Sequence, residues 1–357
     1  MEAPKIYTAL GLMSGTSLDG IDAAIIKTDG HSITYFGPFE SKAYTENFKD
    51  RLRAVLGKQK VSPVLEKDLT YQHAALLGEL YAKYEQLSLE IDVIGFHGHT
   101  IHHDPNQHFT LQVGDGDLLA ELLNTTVVSN FRSADILAGG QGAPLTPIYH
   151  KALAKKFSDS TVIVNIGGVA NVSFINDKAL LAFDTGPGNA PIDDLMRKKV
   201  GVAYDKDGEV ARQGQINKKI LAKLLTHSYF SEEPPKSLDR NQFDFSCVND
   251  LAIEDAAATL VAFTVETIAL SLEYFPETNT RWLATGGGRH NSFMMDELSK
   301  RLGLKVIPVE DVGWNGDALE AQAFAFLAVR SLLNLPLSFP STTGVRVALT
   351  GGDIHRR

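Results

Sequence analysis

The sequence predicts an α/β protein of two lobes built on a duplicated plan, and three observations carry that expectation. The first is a set of strand-like runs, KIYTALGLM, DGIDAAIIK and HSITYFGPF, separated by glycine or Asp-Gly turns as in an antiparallel meander. The second is the return of strand, glycine turn and strand in TVIVNIGGVANVSFI, followed by a third run, ALLAFDTGPGN. The turns at Gly15 and Gly167 lie roughly 150 residues apart, about one domain length. The third is size: 357 residues with 44% hydrophobic side chains exceed what one core usually accommodates. The expected division places residues 1–145 in an N-terminal lobe and 146–314 in a C-terminal lobe. A helix at about 315–335 returns to the first lobe.

Taken in order, the first meander gives way to helical spacing in FKDRLRAVLGK and EKDLTYQHAALLGELYAKYEQLS, where Leu69, Leu76, Leu77, Leu80 and Tyr84 recur on one face. IDVIGFHG resumes the sheet. GDGDLLAELLN reads as a capped helix, TVVSNF as a buried strand, and GGQGAPLTP as a crossing between lobes, before a helix over 148–157. After the second meander, helices are expected at 190–200, 215–226 and 250–273. The strand RWLATGGG follows, then a helix from near Asn291, the strand LKVIPV and the long apolar helix GDALEAQAFAFLAVRSLL. The charged, proline-bearing EEPPKSLDRNQF reads as a surface loop, and STTGVRVALTGGDIHRR as an irregular tail.

A net charge of −9 with no long run of Lys or Arg argues against nucleic-acid or anionic-membrane surfaces and favours a small-molecule partner. The single cysteine, Cys247, excludes an intrachain disulfide framework and a Cys-rich zinc site, and suits a reducing cytosol as a small structural hydrophobe. The N-terminal run is too short for a signal sequence, and no window nears ~18 apolar residues, so a cytoplasmic location is expected.

In GLMSGTSLDGID the glycines permit close backbone approach, and backbone N–H groups with the hydroxyls of Ser14, Thr16 and Ser17 suit phosphate oxygens. The lysine of a P-loop is missing, so charge neutralisation would fall to Mg2+ held by a carboxylate such as Asp19. A plain hairpin with polar turn residues explains the stretch equally well. NIGGVANVSF supplies a second glycine hairpin at Gly167 and Gly168, and ATGGGRHN places Gly286, Gly287 and Gly288 between a strand and a helix. FDTGPGN puts Asp184 at a strand end before a glycine-proline turn; by residue type alone it reads as an Asx-turn or helix N-cap. FHGHTIHHDP holds four histidines. His97 and His99 share a side of an extended strand, but no nearby carboxylate or thiol set completes a metal site, and loop polar groups or sugar recognition are the open readings. Arg132 offers a guanidinium fork to a carboxylate or phosphate, or else pairs with Asp135. Glu320 stands on an Ala- and Phe-rich helix, where a carboxylate needs a partner, water or a solvated face.

The paired glycine hairpins with ATGGG resemble the actin, Hsp70 and hexokinase superfamily, a ribonuclease H-like duplicated α/β fold with its active site in the interlobe cleft. Within it, GLMSGTSLDGID, FHGHTIHH, NIGGVANVSF, FDTGPGN and GDALEAQAFAFLA are similar to the anhydro-N-acetylmuramic acid kinase family over residues 11 to about 330. The resemblance implies ATP with Mg2+, bound by Ser14, Gly15, Thr16, Ser17, Leu18, Asp19, Gly20 and Ile21, by Gly167, Gly168 and Asn171, and by Gly286–Gly288. It implies Asp184 as catalytic base, Glu320 helping to orient the attacking water, and His97, Arg132 and Asp184 at the sugar. It implies hydrolytic opening of 1,6-anhydro-N-acetylmuramic acid with phosphorylation of O6, in cell-wall recycling, by a cytoplasmic homodimer. Two alternatives remain on the same fold: a kinase for an ordinary hydroxyl-bearing sugar, and an actin- or Hsp70-like ATP-driven binding protein.

Overall fold

The computed structural model describes residues 4–15, 18–84, 91–238, 242–277 and 280–356. The chain divides into two compact units, Met1–Leu153 with Ala318–Arg357, and Ala154–Asp317. The first break falls after residue 153 rather than 145 because Tyr149 belongs to the first unit: its hydroxyl donates to Gln322 Oε1 at 2.8 Å.

In the first unit, β1 (Tyr7–Ser14), β2 (Gly20–Thr28) and β3 (Ile33–Ala43) form the expected antiparallel meander. The helices α1 (Glu46–Arg53) and α2 (Pro63–Lys83) follow, each opened by a hydroxyl N-cap, Thr45 or Ser62, that accepts an otherwise unpaired backbone N–H. Then come β4 (Val93–Asp104), β5 (Phe109–Val113), α3 (Gly116–Leu123), β6 (Val127–Ser129), α4 (Ser133–Leu137) and α5 (Pro147–Ala154). β4 pairs parallel with β1, and β6 parallel with β4, giving the order β6-β4-β1-β2-β3, with β5 an antiparallel branch on β4. The histidine run is therefore strand rather than loop, since β4 continues through Asp104.

The second unit repeats this plan. β7 (Thr161–Ile166), β8 (Val169–Ile175) and β9 (Leu180–Pro187) form an antiparallel meander, and α6 (Ala190–Lys199), α7 (Lys218–Leu224) and α8 (Ile253–Leu270) precede β10 (Arg281–Thr285), α9 (Ser292–Leu302) and β11 (Val306–Pro308). β10 lies parallel to β7 and β11 parallel to β10, so the order β11-β10-β7-β8-β9 matches the first sheet strand for strand and direction for direction. Duplication is thus visible in topology as well as in the glycine turns. β9 runs through Gly186 and Pro187, a pair whose composition predicts a turn; as the sheet edge it tolerates a residue without N–H. Asp184 accordingly lies within the strand rather than at its end, and the N-cap of α6 is Asn189. Among the described residues, only the helical stretch Ile253–Tyr274 is long and apolar enough to cross a membrane, and most of it is buried in this unit's core.

The chain then returns to the first unit with α10 (Leu319–Leu332), α11 (Pro340–Thr343) and β12 (Asp353–His355), which pairs antiparallel with β6. The tail is therefore regular at its end, where backbone pairing outweighs a local sequence without strand signal. Two glycines let α10 lie directly on the sheet. A Cβ at Gly11 would sit 1.8 Å from the carbonyl oxygen of Ala321, and one at Gly95 2.1 Å from that of Phe324. With Ala321, Ala325 and Ala328 fully buried, this is backbone-to-backbone packing, and it fixes where the first turn of α10, including Glu320, stands.

Candidate active-site residues in each unit

The turn between β1 and β2 is anchored from both sides. Leu18 and Ile21 send their side chains into the core, and Leu18 adopts φ 64° while its N–H donates to Gly15 O at 3.1 Å. Any ligand contact from these two residues is therefore a backbone contact. Ser14 is buried, its hydroxyl 2.8 Å from both Tyr44 Oη and His99 Nδ1. This hydroxyl pins the strand end before the turn. Asp19 is exposed and accepts Tyr44 N–H through its carbonyl oxygen, while Gly20 allows β2 to pass close to Lys42 of β3. Thr16 and Ser17 lie outside the described residues.

Beyond the turn, the first unit gathers a polar group around α10. Arg132 donates from Nε and Nη2 to His97 Nε2, both at 3.1 Å, and from Nη1 to Gly142 O at 2.8 Å. A guanidinium has no acceptor, so His97 Nε2 must accept, and the ring proton sits on Nδ1, 2.9 Å from Gly98 O. Burial, with the Arg132 charge next in weight, holds the His97 pKa well below its ordinary value, so the ring is neutral. Gly98, at φ 71°, breaks the strand alternation here, and His97 and His99 serve different partners. Asp135, the other partner considered for Arg132, has its carboxylate bonded by Gly142 N–H and Thr343 Oγ1, both at 2.6 Å.

The His97 ring packs on Phe324 with centroids 4.4 Å apart, one helical turn beyond Glu320. Glu320 is solvent-accessible, yet surrounding protein desolvates its carboxyl and raises its pKa; the Asp22 carboxylate adds to the rise and Arg132 opposes it. Asp22 is a site neighbour that the sequence does not single out beside Asp19. Its signal is present as the second carboxylate of GLMSGTSLDGID, on the strand rather than in the turn.

In the second unit, strand register builds a polar row. Thr285 of β10 pairs with Asn165 of β7, Asn165 with Asn171 of β8, and Asn171 with Asp184 of β9. Directly paired residues share a face, so the row crosses the sheet and ends at the carboxylate. The hairpin at Gly167 and Gly168 is tied to the chain after β9: Gly188 N–H donates to Gly168 O at 2.9 Å and Asn189 N–H to Gly167 O at 2.7 Å. Gly168 itself is exposed, and among the described residues only Ala190 comes close to where a Cβ would stand.

Gly286, Gly287 and Gly288 follow β10 as expected. Gly286 takes φ 77°, where a Cβ would stand 2.3 Å from Asn165 Oδ1, and Gly287 is exposed. Arg289, almost wholly buried, braces this turn by donating to Gly286 O at 3.0 Å, to Glu310 Oε1 at 2.9 Å and to Asp317 Oδ1 at 2.7 Å. An open cavity of about 710 Å³ lies beside it, with His290, Trp314 and Asn315 in its lining.

Asp184 is held from the open side of β9. Its N–H donates to Lys236 O at 3.0 Å, its carbonyl oxygen accepts Tyr229 Oη–H at 2.5 Å, and its Oδ2 accepts Leu238 N–H at 2.8 Å. The segment expected to be a charged surface loop thus includes a buried lysine. The reason is local pairing: Lys236 Nζ donates to the carbonyls of Tyr229 and Glu232 and lies over the rings of Tyr229 and Tyr274. Residues 239–241 of that segment lie outside the described residues.

A family model described as anhydro-N-acetylmuramic acid kinase matches residues 7–357. A protein named anhydro-N-acetylmuramic acid kinase from Rhodospirillum rubrum is 50% identical over 358 residues, covering 98% of this chain and 95% of that one. One of the same name from Paramagnetospirillum magneticum is 49% identical over 351 residues, covering 97% and 99%.

Proposed function

This chain belongs to the anhydro-N-acetylmuramic acid kinase family, sugar kinases of cell-wall recycling, and we propose that it opens 1,6-anhydro-N-acetylmuramic acid with water and phosphorylates the released O6 from ATP. The substrate has no free 6-hydroxyl. Water attacks the anomeric carbon, the bond from that carbon to O6 breaks, and O6 takes the γ-phosphoryl group as ADP leaves. The attacking water must give up a proton, and Asp184 is assigned as the base that takes it. Arg132 is assigned to the negative charge of the sugar's lactyl carboxylate, His97 holds Arg132 in place and lines the sugar site, and Glu320 orients the water. The products are N-acetylmuramic acid 6-phosphate and ADP.

The phosphates are assigned to the backbone of the two glycine hairpins, at Gly15 to Ile21 and at Gly167 and Gly168, with Asn171 beside the second, and the nucleoside to Gly286–Gly288 and the cavity next to Arg289. Among the described residues no group of three or more His, Cys, Asp or Glu is arranged for a metal ion. The donor chemistry suits Mg2+ all the same, since that ion commonly binds one or two carboxylates with substrate phosphates and water completing its shell. Asp19, exposed at the turn, would hold it, and the ion would neutralise phosphate charge. A homodimer and a cytoplasmic location complete the reading.

The observation that carries the residue assignment is the polar row ending in a carboxylate whose backbone and Oδ2 are all bonded. Its test is turnover of the anhydro sugar in ¹⁸O-water. Wild-type product should carry one heavy oxygen at the anomeric carbon, and Asp184→Asn should lose about 10²- to 10⁴-fold in kcat while still binding ATP. Product without the label would point to a kinase for an ordinary hydroxyl. Near-normal kcat in the variant would remove Asp184 from the role of base.

A further inference from the structure

β9 is the free edge of the second sheet, and an edge strand leaves alternate backbone groups without a ladder partner. At Asp184 both outward groups are taken by the segment Ser228–Leu238, which doubles back along the edge: Lys236 O accepts the N–H and Tyr229 Oη donates to the carbonyl oxygen. The same segment reaches the side chain, where Leu238 N–H donates to Oδ2. The segment is closed on itself by one cation. Lys236 Nζ donates to Tyr229 O at 3.0 Å and Glu232 O at 2.7 Å, and lies 4.8 Å from the Tyr229 ring centroid and 5.5 Å from that of Tyr274. The Tyr229 end is seated in an aromatic cluster with Phe243 and Phe263, and both Tyr229 and Lys236 are buried.

A buried ammonium committed to two backbone carbonyls of its own strap has no catalytic reach from these contacts. It fixes the path of the strap. We infer that Lys236 and Tyr229 are positioning residues that hold the Asp184 carboxylate in its reactive orientation by clamping a strap across the free edge of β9. This rests on the assignment of Asp184 as the base. Tyr229 sets the height of the strand edge at residue 184, and Lys236 keeps its own carbonyl and the Leu238 N–H in register with that residue, so loss of either releases the carboxylate without emptying the sugar or nucleotide sites. Misplacing a reacting group by about 1 Å can cost on the order of 10²-fold in rate.

The test compares Lys236→Met, which keeps the apolar stem, and Tyr229→Phe, which keeps the ring, with wild type and Asp184→Asn. All are assayed as full-length protein with the anhydro sugar and ATP, and folding is checked by circular dichroism and melting. The expected result is a fall in kcat of about tenfold or more in each strap variant, with KM for both substrates within about twofold of wild type. Folded variants with wild-type kcat, or a loss carried by KM instead, overturn the proposal. Should Lys236→Met fail to fold, Tyr229→Phe decides alone. If Asp184→Asn is inactive while both strap variants are fully active, the clamp fails and the base assignment stands; if Asp184→Asn itself turns over normally, both are withdrawn.

Discussion

Arg132 and His97 show how little of a side chain's role is written in its own identity. A guanidinium can only donate, so its two bonds to His97 Nε2 impose the Nδ1–H tautomer, and the ring in turn packs on Phe324 of α10. The fork is thereby oriented before any ligand arrives. Arg132→Lys keeps the charge but cannot reproduce the planar, two-pronged contact, and the expected outcome is a rise of about tenfold in KM for the anhydro sugar with little change in KM for ATP. Steady-state kinetics with each substrate varied in turn checks this; equal rises in both constants would count against a sugar-side role. The residue type, its place just after a strand and the family resemblance point to Arg132 in the sequence. The resemblance also points to His97, but the residues of FHGHTIHHDP alone do not set it apart from His99, because the break at Gly98 that separates the two depends on a backbone angle that neighbouring residues do not announce.

At the level of elements, the seat of α10 is set by absent side chains. Gly11 and Gly95 place sheet backbone against helix backbone, where even one methyl group would collide with the carbonyl oxygens of Ala321 and Phe324. Gly95→Val is therefore expected to destabilise the protein by about 3 kcal/mol or more and, by shifting the helix that carries Glu320, to depress turnover in whatever fraction stays folded. Gly78, inside α2, is the control: it is exposed, and among the described residues no atom outside its own helix backbone lies within 4 Å of where its Cβ would stand. Gly78→Ala should stabilise by about 0.5–1 kcal/mol, since alanine loses less backbone entropy in a helix. Denaturant midpoints of the two variants should move in opposite directions. Both meanders, the major helices and the return of α10 are legible in the sequence because hydrophobic period and glycine turns are local signals. The strand β12 and the strap over β9 are not. DIH is too short to declare a strand without β6, and EEPPKS is charged enough to look solvated until Tyr229, Glu232 and Tyr274 supply partners for Lys236.

Over the whole molecule, the most sensitive titration falls on one unit. His73, His97, His99 and His150 all belong to Met1–Leu153, and burial holds each of them below the ordinary imidazole range, His73, His99 and His150 to about 4. Geometry gives the same direction for His73. Its Nδ1 donates to Leu69 O at 2.8 Å, which leaves Nε2 as a bare lone pair, and that buried atom has no hydrogen-bond partner among the described residues. A proton added there would have no acceptor. In the unfolded chain these rings take protons near their ordinary pKa of 6.5, whereas the folded unit declines them until about pH 4. The unfolded state therefore binds more protons throughout that window, and stability is retained above it and lost as the pH falls through it. Each such ring steepens the dependence by up to about 1.4 kcal/mol per pH unit. Urea unfolding followed by circular dichroism between pH 7 and 4.5 should show that loss, and His73→Gln should reduce the slope by about one proton's worth. Trp282 and Trp314, the chain's two tryptophans, both lie in Ala154–Asp317, so tryptophan fluorescence follows the other unit in the same samples. An unchanged slope in the folded His73→Gln variant would mean that this ring is already protonated in the native state, contrary to the bond it makes to Leu69.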